Sequence, residues 1–197
     1  MAVGDSDIPI TMPRSPTDQV HEQLLQAAVA AFNREGFHGT DSNRIAKAAG
    51  LAAGTFYRHF KDKRAAFVAA SQRFAAEELA AITSALEAAA GAKVSADRLL
   101  AATGEVYKNW RVFRASLRLL TASDPKVRDA HRKQRSQLLD ALGARKGSAS
   151  RERDALALML LERAGDAIAE GESKPLQLDG VKLSRDLAST LERLLAG

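Results

Sequence analysis

Apolar residues recur at three- and four-residue intervals along most of the chain, the spacing that gathers side chains on one face of an α-helix. In Asp18–Glu35 the repeat is Val20, Leu24, Ala28, Ala31 and Phe32, and Gly36 then closes the segment as a left-handed cap would, with Phe37 tucked beyond it. Asp41 stands where an N-cap belongs, before a short helix Ser42–Ala49 with Ile45, Ala46 and Ala49 inward. Gly50 stops that helix, and a turn leads into another over Ala53–Phe60. A longer helix from Asp62 to about Ala90 carries Phe67, Phe74, Leu79, Ile82 and Leu86, and Gly91 ends it. Ser95 caps a stretch reaching about Leu120, Asp124-Pro125 starts a helix that ends near Gly143, and Arg151–Glu170 and Val181–Leu195 complete the series. No strand-like alternation of β-branched and aromatic residues occurs at convincing length. The expected fold class is all-α.

Composition narrows the chemistry. The 197 residues are 46% hydrophobic and 5% aromatic, enough chain to bury a substantial core. The absence of cysteine removes disulfides, zinc-thiolate sites and thiol nucleophiles, and fits a reducing cytoplasm. Met1–Pro16 holds Asp5 and Asp7 and no apolar run, so it reads as a disordered arm rather than a signal peptide. No segment approaches the ~18 uninterrupted apolar residues of a membrane span. The four histidines are scattered, and no metal motif, Gly-rich phosphate loop or nucleophile–base pair stands out. The expectation is therefore no enzyme, no cofactor and no membrane partner.

Net charge is +5, which favours anionic partners. The cations gather in two places. Arg44, Lys47, Arg58, Lys61, Lys63 and Arg64 face only Asp41 and Asp62 across residues 41–64. A second group (Arg111, Arg114, Arg118, Lys126, Arg128, Arg132, Lys133 and Arg135) faces Asp124 and Asp129. The first coincides with the helix–glycine turn–helix over Asp41–Phe60, a geometry that sets the second helix steeply across the first and able to enter a major groove. On Ala53–Phe60, Phe56 and Phe60 are one turn apart and point inward. Thr55, Arg58 and His59, with Tyr57 beside them, are expected outward, where a hydroxyl, guanidinium, imidazole and phenol can meet phosphates and base edges. A solvated rim of a small helical bundle is the competing reading of the same residues. The Lys126–Arg135 run reads as a solvated helix face.

The stretch LLQAAVAAFNREGFHGT, followed by RIAKAAGLAAGTFYRHFKDK, closely resembles the N-terminal domain of TetR-family (tetracycline-repressor-like) regulators. The AAxxxFxxxGFxxT opening, the IAxxAG helix and the GTxYxHFxxK ending appear in order and correctly spaced, over a little under a quarter of the chain. The resemblance implies a DNA-binding domain at 17–62 and a helical effector-binding and dimerisation domain at 63–197, after the 1–16 arm. It implies phosphate contacts from Thr40, Thr55, His59 and Lys63, a mixed base and phosphate contact from Tyr57, and base reading from Asn43 with Arg44 beside it. Ala52-Ala53 departs from the polar pair frequent in the family, which throws base recognition onto Arg58, Tyr57, Asn43 and Arg44. The implied function is a cytoplasmic homodimer on a palindromic double-stranded operator, a repressor released by a small-molecule effector. The rival is a helical adaptor or sequestering protein without operator binding.

Two further groups follow. Val106, Trp110, Phe113, Leu117 and Leu120 form one stripe, with Tyr107, Arg111, Arg114 and Arg118 beside it. Core plus solvated cations explains this. So does an effector pocket walled by Phe74, Tyr107, Trp110, Phe113 and Leu117, with Arg114 or Arg118 anchoring an acidic ligand. Family helices usually break near Asn109, which would bend the region around a cavity. Arg151–Gly171 is apolar on nearly every side and must be covered on more than one. Leu158, Leu161, Gly165 and Ile168, with Leu187, Leu191 and Leu194 of the last helix, are the candidate dimer interface; an internal core helix is the alternative.

Overall fold

The computed structural model describes residues 15–87, 96–146, 150–172, 174, 175, 177 and 179–196. In chain order the helices are α1 Pro16–Glu35, α2 Ser42–Ala48, α3 Ala53–His59, α4 Lys63–Glu87, α5 Ala96–Asn109, α6 Arg111–Ser123, α7 Pro125–Lys146, α8 Arg151–Glu170 and α9 Gly180–Ala196. The chain is all-helical, with no strand among the described residues. The expected arm, the end of α4 near Gly91 and the Ser95 cap lie outside the described residues.

Local chemistry explains most boundaries. α1 begins two residues ahead of the periodic signal because Ser15 caps it: the Asp18 amide donates to Ser15 Oγ (3.1 Å) and the Ser15 amide donates to Asp18 Oδ2 (3.3 Å). Asp41 caps α2, its Oδ1 accepting from the amides of Asn43 and Arg44 at 2.9 Å each. Gly36 does not take the left-handed helical conformation expected of it. Its φ of 72° and ψ of 179° fall in an extended positive-φ region that glycine alone adopts freely. α5 and α6 break at Trp110, one residue from the break the resemblance implied.

Two apolar clusters organise the molecule. The first joins α1–α4 to the end of α5 and to α6, so it runs across the expected 62/63 domain boundary. Phe67 of α4 stacks on Phe113 of α6 at 4.5 Å and receives Phe32 of α1 edge-on at 5.1 Å. The helix-turn-helix segment therefore shares a core with α6, which packs directly on α1. The second cluster lies among α4, α5, α7, α8 and α9 and buries Ile82, Leu99, Leu138, Leu158, Leu161 and Leu191.

Candidate nucleic-acid interface

α3 is held by Phe56 and Phe60, which are buried in the first cluster, and this orientation throws Tyr57 outward with 58% of its surface exposed. The Tyr57 ring is braced edge-on by Phe56 at 5.4 Å, so the phenol projects from a fixed base. Arg58 is exposed beside it. Thr55 does not share that open face as expected: it is buried, and its hydroxyl accepts from Arg58 Nη2 at 3.0 Å. One helical turn links the two positions, so Thr55 steers the guanidinium. His59 is half-buried, its ring 5.8 Å from that of His21 on α1.

At the start of α2, Asn43 and Arg44 are exposed. Arg44 is anchored by Glu35 (2.8 Å) and donates to the Gly39 carbonyl (2.6 Å). Thr40 is buried, and its carbonyl faces α4. Lys63, the first residue of α4, donates to the carbonyls of Phe37 and Thr40 at 2.8 Å each and sits 4.3 Å above the Phe37 ring. Burial lowers its pKa from the usual lysine range, while Asp41 works against that shift. The ammonium expected to reach a phosphate is thus largely spent on the α1–α2 turn. Arg64 is paired with Asp124 at 2.6 Å. Arg44, Lys47, Arg58 and Lys61 are the exposed cations of the segment, and Arg44 alone of them is paired with a carboxylate among the described residues.

The sequence profile of the bacterial regulatory proteins of the tetR family matches residues 24–70, the stretch carrying this helix–turn–helix. Over that stretch the chain is similar to the tetR family. A curated HTH-type transcriptional regulator of Staphylococcus aureus is 40% identical over 50 residues, which are 25% of this chain and 27% of that protein. The chain thus spans about a quarter of the length of such relatives, and the likeness is one of the tetR-family domain. Solved structures resemble the whole chain in fold. GusR of Salmonella enterica aligns with a TM-score of 0.65 at 22% identity, covering 96% of this chain and 100% of its own. The fatty acid degradation regulator FadR of Bacillus halodurans aligns with a TM-score of 0.63 at 20% identity, covering 94% and 97%.

Beyond the helix-turn-helix, the stripe expected to wall a pocket is mostly core. Phe74, Tyr107, Trp110, Phe113 and Leu117 are all buried in the first cluster. Only Arg114, Leu117 and Arg118 of that set line a cavity, of about 220 Å³, together with Thr121, His131, Met159, Glu162, Arg163 and Asp166. Neither arginine is a free anchor for an acid. Arg114 pairs with Asp166 at 2.6 Å and lies 3.8 Å over the Tyr107 ring, while Arg118 pairs with Asp166 at 2.6 Å and with Glu170. The run that read as a solvated face is also partly internal. Arg135 donates to the fully buried Glu78 (2.7 Å) and forms an ion pair with Glu162 (3.0 Å), and Arg128 donates to the carbonyls of Thr121 and Ala122. Glu78 accepts from the Tyr107 hydroxyl at 2.5 Å. Burial raises the Glu162 carboxyl to about 7 against the pull of Arg135. Burial, with Arg135 and Arg114 nearby, lowers His131 to about 4. The sequence reading missed Glu78, His131, Glu162 and Asp166; their only signal was that buried arginines need carboxylates somewhere.

The candidate dimer residues also divide. Leu158, Leu161 and Leu191 belong to the chain's own second cluster, and Leu187 and Leu194 pack against it. Gly165 is the site of a close approach, but from within the chain: a Cβ there would stand 2.0 Å from Tyr107 Cδ2. Of the set, Ile168 is exposed, and the other large apolar side chains exposed on α8 and α9 are Leu156, Met159, Val181 and Leu183. Among the described residues, no helix is long and apolar enough to cross a membrane.

Proposed function

We propose that this chain is a homodimeric, sequence-specific transcriptional regulator that lays α3 of each protomer into the major groove of a palindromic double-stranded operator in the cytoplasm. The observation that carries the reading is Tyr57, exposed and braced by Phe56 on the second helix of the turn, with Arg58 beside it. Asn43 and Arg44 at the start of α2 supply further base and phosphate contacts. Thr55 orients Arg58, His59 flanks it, and Thr40 and Lys63 hold the turn that presents α2. Two units joined by symmetry would read two half-sites.

The finer reading is a repressor released by a small molecule. Its support is the placement of α6. On one side α6 lines the cavity with Arg114, Leu117, Arg118 and Thr121. On the other, Ser116 Oγ accepts from the Phe37 amide at 3.0 Å, within the turn that Lys63 also grips. A ligand that prefers a shifted α6 would bias the half-site geometry, and operator binding would weaken the ligand by the same factor.

The test is Tyr57→Ala, assayed by mobility shift against a genomic fragment selected by the parent and against random duplex. Affinity for the selected fragment should fall by about ten-fold or more, as for loss of a base contact worth ~1–3 kcal/mol, with random duplex little affected. A folded variant that binds both like the parent removes α3 from the interface.

A further inference from the structure

Within the second cluster lies a small pocket that shares no lining residue with the α6 cavity. Its wall is made by Ile82 and Leu86 of α4, Leu99 of α5, Leu142 of α7, Leu158 of α8 and Leu191 of α9. One polar side chain enters this lining: Asp154, in the first turn of α8. Asp154 is 92% buried, with a relative exposure of 8%, yet no hydrogen bond or ion pair reaches its carboxylate from the described residues. The other buried carboxylates in this half of the molecule, Glu78 and Asp166, are both tied to arginines. A carboxylate set in an apolar wall with no partner in the fold is open to one from outside the chain through the mouth of the pocket. The strongest partner for a carboxylate in an apolar wall is a cation that also donates hydrogen bonds.

We propose that this pocket binds an organic monocation through Asp154, a primary ammonium with an aliphatic body lying along the leucines. The pocket has a volume of about 40 Å³. One water-sized group needs about 10–15 Å³ of such space, so the pocket admits an ammonium head and the first carbons of the body, with the remainder in its open mouth. An acid is refused by the carboxylate, and a bare metal ion by a wall that offers one oxygen-bearing side chain among apolar ones. The site is read on protein without DNA, so its failure leaves the operator reading untouched.

The experiment titrates the full chain with hexylammonium chloride, hexanol and sodium hexanoate at constant ionic strength, by calorimetry and thermal melting. Hexylammonium should saturate one site per chain and raise the melting temperature, hexanol should bind about ten-fold or more weakly, and hexanoate should not bind. Asp154→Asn should cut hexylammonium affinity by about ten-fold or more and leave hexanol unchanged. Asp154→Leu should raise the melting temperature of the unliganded protein, because it removes an uncompensated buried charge. Equal binding of all three head groups, no saturable hexylammonium binding, an Asp154→Asn variant with parental affinity, or a lower melting temperature in Asp154→Leu would each overturn the proposal.

Discussion

Lys63→Met separates two roles for the same ammonium. The substitution keeps an unbranched apolar stem over Phe37 and removes the two bonds to the carbonyls of Phe37 and Thr40, each 2.8 Å long. Hydrogen bonds made by charged groups contribute about 1.5–3 kcal/mol each. Lys63 is only partly buried, so solvent screening discounts each bond to about 1–2 kcal/mol, and the pair is worth about 2–4 kcal/mol. The loss falls on the turn carrying Thr40 and Asp41, whose carboxylate caps α2. A loosened turn displaces Asn43 and Arg44, and operator affinity should drop by about ten- to a hundred-fold, or 1.4–2.8 kcal/mol. Fluorescence anisotropy across a salt series decides the cause. A lost phosphate contact lowers the slope of log K against log salt by about one, whereas a lost clamp leaves it nearly unchanged. Ser116→Ala is the companion, since it releases the Phe37 amide from α6 far from any phosphate, and should weaken binding at the parental slope. A Lys63→Met variant whose slope falls by a full ion, with its urea midpoint unmoved, would put the ammonium on DNA and refute the clamp.

Four other substitutions test the interior and the assembly. Gly165→Ala should destabilise by about 1–3 kcal/mol in urea despite alanine's better helix propensity, because Tyr107 is pinned by Glu78 and Arg114 and cannot leave the new methyl group; a more stable variant would contradict the packing. His131 and Glu162 should pull stability in opposite directions with pH. His131 is held neutral in the fold, so its contribution is lost as pH falls from 6.5 to about 4, while Glu162 is held protonated, so its contribution is lost as pH rises from 4.5 to about 7. Glu162→Gln should therefore expose a loss of stability on acidification and His131→Gln a gain, up to about 3 kcal/mol each by urea titration; parallel profiles would refute the assignment. Ile168→Glu, on the exposed side of α8, should shift a sedimenting dimer toward monomer while far-ultraviolet circular dichroism stays that of the parent, and a parent that sediments as a monomer would remove the interface.

What the chain determined by itself is what neighbouring residues decide. The period of apolar positions, Asp41 before α2, the Gly50 turn and the aromatic pair on α3 all act within a few residues of one another. The helix-turn-helix and most helix limits were legible for that reason, and so was the family likeness, whose motifs occupy one continuous stretch. Tertiary structure decided which way each charge turns. Arg114 meets Asp166 and Arg135 meets Glu78 across separations of 52 and 57 residues, and no local spacing announces such pairs. Lys63 turned inward because two carbonyls more than twenty residues earlier lie beneath it. α8 is apolar on almost every side, so its pattern named no preferred face. The packing of α5 and α9 chose Leu158 and Leu161 for the interior and left Leu156 and Ile168 outside.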